Sequence, residues 1–222
     1  MASKVRGSGP RRPAQSQQGQ QKCPATSKPA YKWELGDIAF LKRAEEFSQD
    51  EREKYLQTGR IFSKATCHPV IVLGRSEDSK YYIVTTVSAY SDDAKGENPP
   101  WRQKQHQQRK KIDGFRAFKG SCRPNPHYKF LELADGKEWP KPKTSWVYIH
   151  LPMLVPASTL IQFTKAKGQQ LRMATESLGD LLSHMDAKAD EFKRAKREMQ
   201  RVTAPINQGP PAQQNRAQKS KQ

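Results

Sequence analysis

A chain of 222 residues with an apolar fraction of 34% and a formal net charge of +18 can bury one core of about 150 residues, and its charge favours polyanionic partners, nucleic acid before acidic membrane surface. No apolar stretch approaches a bilayer span and no signal-peptide core follows Met1, so the chain reads as an intracellular protein of cytoplasm or nucleus. Cys23, Cys67 and Cys122 show no C-x-x-C or paired-histidine spacing, which argues against a disulfide framework and a zinc site. Convergence of Cys67, His68, Cys122 and His127 on a metal is a costlier reading than scattered thiols in a reducing compartment.

Residues 1–30 hold six basic and no acidic residues among Gln, Ser, Pro and Gly, with no apolar periodicity. Such a segment cannot offset its ordering entropy by burial and reads as a disordered basic arm. Its composition also has the marks of a mitochondrial transit peptide, but Pro10 and Pro13 oppose an amphipathic helix. Residues 31–186 read as the domain, 187–202 as an extension of its C-terminal helix, and 203–222 as a second disordered tail.

Gly36-Asp37 is turn chemistry before a strand over 38–41. Ser48, three residues before Glu51, predicts a capped helix over 49–57 ended by Gly59, anchored by Tyr55 and Leu56, ahead of a strand at Ile61-Phe62. The centre of the chain is TCHPVIVLGRSEDSKYYIVTTVSAY, residues 66–90. It holds two short runs rich in β-branched residues around a polar turn, and predicts neighbouring strands of a buried sheet.

Residues 91–145 form a long insertion whose first half carries Trp101, Arg102, Lys104, His106, Arg109, Lys110 and Lys111 close together. It reads as a basic tongue that tracks phosphates while Trp101, with Phe115, stacks on bases. The plainer alternative is a solvated insertion whose Phe115 and Phe118 return the chain to the core. Further strands are predicted at 127–133 (HYKFLEL), 145–150 (SWVYIH) and 159–163 (TLIQF). Leu178, Leu181, Leu182 and Met185 then fall at i, i+3, i+4, i+7 on one helix face, continued more sparsely by Ala189, Phe192 and Met199. The run 193–197 (KRAKR) reads as a nuclear-localisation patch, a phosphate contact or, most simply, a solvated helix face.

The Gly-Asp-Ile opening, the Pro-Val-Ile-Val-Leu strand, the Val-Thr-Thr strand end, the Ser-initiated late strand and the helix after Arg172-Met173 together resemble the PemK/MazF family of toxin ribonucleases, over residues 35–185. The resemblance implies an α+β chain, mainly β: a small, strongly bent antiparallel SH3-like barrel with a long C-terminal helix. It further implies frequent dimerisation and cleavage of single-stranded RNA without metal or cofactor. In that family an Arg precedes the Pro of the second strand; here His68 precedes Pro69, while Thr85, with Thr86 beside it, matches the family's hydroxyl position.

Cleavage without a metal needs an acid, a base and a cation at the phosphorane. Arg supplies permanent bidentate charge and His does not. His68 with Thr85 or Thr86, and Arg60 or Arg75 for charge, is therefore the catalytic set to look for. The main expectation is a binding module for single-stranded RNA that has lost catalysis. An active endoribonuclease is the first alternative. The second is a protein-interaction barrel with a groove lined by Trp33, Tyr82, Trp146 and Tyr148. A homodimer through the exposed end of the C-terminal helix is compatible with any of them.

Overall fold

The computed structural model describes residues 31–58, 65–90, 98–107, 111–164 and 169–204. The basic arm at 1–30, most of the tail from 203, the Ile61-Phe62 strand, the Gly59 stop signal and the basic residues Arg60, Arg109 and Lys110 lie outside them.

The first strand, β1 (Ile38–Leu41), starts where Gly36 and Asp37 turn the chain. Gly36 has φ +84°, a conformation natural to glycine, and its N–H donates to the Val72 carbonyl at 2.8 Å. The two central runs become β2 (His68–Arg75) and β3 (Tyr81–Ser88), paired antiparallel with Val70 opposite Thr86 and Ile71 opposite Thr85. With β4 (Phe115–Ala117), β5 (Trp146–Pro156) and β6 (Leu160–Gln162) they form one six-stranded antiparallel sheet, in the order β4-β5-β3-β2-β1-β6. The α+β class and the bent antiparallel sheet are as expected, and the sheet does not close on itself. The edges β4 and β6 have three residues each and do not meet, so the sheet stays open. It is bent at register breaks between Val72 and Gly74 and between Thr85 and Val87.

Alternation assigns the two faces. Ile71, Leu73, Ile83, Val87 and Leu154 point to the side covered by α3 (Thr175–Lys188) and α4 (Asp190–Thr203), where Leu181, Met185 and Phe192 are fully buried. Val70, Val72, Tyr82, Val84 and Met153 point the other way, onto Trp33, Phe47 and Tyr55. Tyr55 belongs to α1 (Gln49–Gln57), whose Ser48 and Glu51 form the expected capping box. Burial pushes the Tyr55 hydroxyl up to about 12. Leu56, the second expected anchor, points to solvent at 63% exposure because α1 buries only the face that carries Glu51 and Tyr55.

Three further expectations change. Residues 127–133 make only isolated bridges, Phe118 with Leu131 and Leu133 with Met173, because this stretch crosses from β4 to the 171–173 segment and has no continuous partner. β5 runs on through Pro152, which pairs with Thr85 at the register break, where a missing N–H is tolerated. The C-terminal helix is two helices, broken at Ala189 (φ −114°, ψ 96°), and the sparse continuation of its stripe is core: Phe192 is fully buried.

The insertion is largely built into the domain. Phe118, Leu131, Leu133 and Trp139 join the core under α3, and Phe118 stacks on Trp139 at 4.4 Å between centroids. Its turn at 112–114 lies so close to β5 that a Cβ on Gly114 would come within 2.7 Å of both His150 and Tyr148. Only glycine seats that turn. The short α2 (Lys104–Gln107) precedes it.

Candidate nucleic-acid interface

Two clefts flank α4. The larger, about 860 Å³, opens between the end of β2, the 34–35 segment and α4. Three cations reach it from separate parts of the chain: Arg75 from β2, Arg172 from the segment before α3, and Lys196 from α4. Leu35, Leu73, Ile83 and Met199 supply its apolar surface, and Glu34 is its one carboxylate.

Each cation is held at one side. The Arg75 guanidinium donates to Glu34 Oε1 at 2.8 Å and to the Trp33 carbonyl at 3.5 Å. Arg172 Nε donates to Asp37 Oδ1 at 2.8 Å; Asp37 is buried and also accepts from the Glu34 N–H at 2.8 Å. That carboxylate raises the Arg172 pKa, yet the Arg172 side chain stays 51% exposed. Lys196 Nζ donates to Asp186 at 2.7 Å and lies 4.4 Å from the centre of the Phe192 ring. Tethered bases with exposed donors are oriented before any anion arrives, which lowers the entropy cost of capture. Beside this rim Tyr31 is 56% exposed, packs on Trp33 at 4.5 Å between ring centroids, and lies within electrostatic range of Arg172. An exposed aromatic next to tethered cations is the combination that single-stranded nucleic acid uses, base on ring and phosphate on cation.

The smaller cleft, about 470 Å³, lies between the end of α1, β5 and the other side of α4. It is lined by Arg194 and Arg201 on the basic side and by Glu191 and Glu198 on the acidic side. His150 Nδ1 is 3.7 Å from Glu191, Glu198 is ion-paired with Arg201, and Arg201 also donates to the Gln57 carbonyl at 3.1 Å. The hydrogen bond from Arg201 lowers the Glu198 pKa.

The expected catalytic set is spread over the sheet. His68 is half-buried at the start of β2, with Nδ1 2.8 Å from the Thr66 carbonyl. Thr85 is fully buried on the helix-covered side, and its hydroxyl has no hydrogen-bond partner there. Thr86, 8% exposed, shares the opposite side with His68, one diagonal step away across the β2–β3 pair. Arg75 closes β2 at its far end, about 23 Å of strand from His68. The sheet therefore does not gather His68, Thr85 and Arg75.

Of the insertion residues, Trp101 is partly buried and packs against Phe115 (5.6 Å) and Trp146 (6.1 Å), while Phe115 is fully buried and offers no face to a base. Arg102, Lys104 and Lys111 are exposed. Trp33, Tyr82, Trp146 and Tyr148, expected to line a groove, are all buried. Cys67 and Cys122 are exposed and free, and among the described residues no three His, Cys, Asp or Glu side chains gather to hold a metal ion. No helix among the described residues is long and apolar enough to cross a membrane.

Arg75 was legible as a basic residue beside a turn. Lys196 was legible only as part of the basic run 193–197, for which a phosphate contact was one reading; Arg172, Glu34 and Tyr31 were missed, because the cleft joins segments more than a hundred residues apart in sequence. The Gly-Asp turn was the one available signal: a buried turn aspartate needs a distant cation, and Arg172 is that cation. Comparison of the chain with protein-family models, with curated proteins and with solved structures finds no match.

Proposed function

We propose that this protein is a non-catalytic binding module for single-stranded RNA, on a PemK/MazF-like sheet, with the basic cleft beside α4 as its interface. The observation that carries this reading is the meeting of Arg75, Arg172 and Lys196 around one cleft of about 860 Å³. Arg75 and Arg172 take phosphate oxygens through their exposed donors, Lys196 adds a point charge, and Tyr31 stacks one base. The apolar cleft surface makes no hydrogen bond to a base edge, so binding is tolerant of sequence and steep in salt. The chain's net charge of +18 adds long-range attraction. RNA is preferred to DNA on the strength of the strand motifs that resemble the toxin ribonucleases. The separation of His68, Thr85 and Arg75 supports a module without catalysis.

The test is binding of a labelled mixed-sequence single-stranded RNA in EDTA across a salt series, with a denaturing gel run in parallel. The unaltered chain shifts the RNA and leaves it intact. An Arg75→Ala, Lys196→Ala double variant flattens the slope of log affinity against log salt by about 1.4, two lost phosphate contacts. Tyr31→Ala weakens binding at every salt concentration by about 1–3 kcal/mol. Cut RNA would overturn the non-catalytic reading, and an unaltered slope in the double variant would remove the cleft.

A further inference from the structure

A second polar cluster lies where β4 meets α3, apart from both clefts. Arg116 of β4 is 1% exposed. Its guanidinium is ion-paired with Asp180 of α3 and donates to the Lys129 carbonyl at 3.0 Å, while its Nε is buried with no hydrogen-bond partner. His184 follows Asp180 by one turn on the same face of α3. Both of its ring nitrogens are buried and neither has a hydrogen-bond partner. The Tyr128 ring joins the two, 4.6 Å from the His184 ring and 5.3 Å from the Arg116 guanidinium carbon.

This geometry suits a neutral imidazole and not an imidazolium. A protonated His184 would bring a second cation beside Arg116, with no acceptor for its two N–H groups. Burial is the strongest influence, and Arg116 comes next; together they hold the His184 pKa below the ordinary histidine range. His150 of β5 acts in the same direction. Asp180 on α3 and Asp113 in the turn before β4 act against it, without reversing the balance.

We propose that Arg116, Tyr128, Asp180 and His184 form an acid-sensitive latch, which holds α3 against β4 while His184 is neutral and releases it when His184 is protonated. The sign follows from linkage. A histidine whose folded pKa is depressed binds its proton more readily once released, so the contact is at full strength above the ordinary histidine range and weakens as pH falls through it. Acid loosens the latch, and base cannot.

Hydrogen exchange of the full chain between pH 8 and 5.5 tests this, in a range where carboxylates stay charged. After correction for intrinsic exchange, opening of α3 rises with acid by up to about tenfold per pH unit. In His184→Phe, which keeps a ring against Tyr128 and cannot take a proton, α3 exchange no longer responds to acid. If that variant does not fold, the ring protons of His184 in the unaltered chain decide by NMR, with a titration midpoint below that of free histidine expected. An equal acid response in His184→Phe, or a midpoint at or above that of free histidine, overturns the latch.

Discussion

The two clefts beside α4 share a helix and differ in how their charges are answered. On one side, Arg75, Arg172 and Lys196 are paired with Glu34, Asp37 and Asp186, of which only Glu34 lines the cleft. On the other, Glu191 faces His150, and Glu198 and Gln57 occupy Arg201. Both clefts belong to a strongly basic protein, yet three cations and one carboxylate line the larger, while two arginines and two glutamates line the smaller. Net charge says that a polyanion is attracted; the tethering of individual side chains says where it can be held.

Three substitutions press on that difference, in falling order of effect. Phe192 anchors α4, and with it a wall of each cleft, so Phe192→Ala costs about 3–5 kcal/mol by urea denaturation and weakens RNA binding as well. Retention of full stability would mean that α4 is held by its rim and not by its core face. Arg172→Ala leaves the buried Asp37 carboxylate without its cation, for a loss of about 3 kcal/mol. Adding Asp37→Asn in that background recovers part of the stability but not the RNA affinity, which separates the structural work of Arg172 from the anion contact proposed for it. Arg194→Ala removes a positive charge from the smaller cleft and changes RNA affinity by less than about 0.5 kcal/mol in a filter-binding titration. A drop as large as that of the Arg75→Ala, Lys196→Ala pair would mean that charge alone, and not its arrangement, decides binding.

The sheet was legible where neighbouring residues agreed with one another. Val70 to Leu73 and Tyr81 to Val87 are long enough, apolar enough and sufficiently β-branched to form central strands in almost any context. The break at Ala189 was not legible, since neither Gly nor Pro marks it and alanine is a strong helix former. The burial of Thr85 was in principle readable. Neighbours in a strand face opposite ways, and Thr85 alternates with Ile83 and Val87. Trp101 looked like a stacking platform because its sequence neighbours are basic. Its neighbours in space, Phe115 and Trp146, come from β4 and β5 and leave it partly buried against them. The cleft depends on contacts between Glu34, Arg75, Arg172 and Lys196, and no local pattern encodes those.

The joint between α3 and α4 has a mechanical consequence. Ala189 is fully buried; its N–H donates to the Met185 carbonyl at 2.8 Å, and its own carbonyl accepts from the Phe192 N–H at 3.0 Å. The last turn of one helix and the first turn of the next are thus fastened to the same residue. The salt bridge from Lys196 of α4 to Asp186 of α3 ties the two helices a second time, so one of the cations at the larger cleft is also a brace across the elbow.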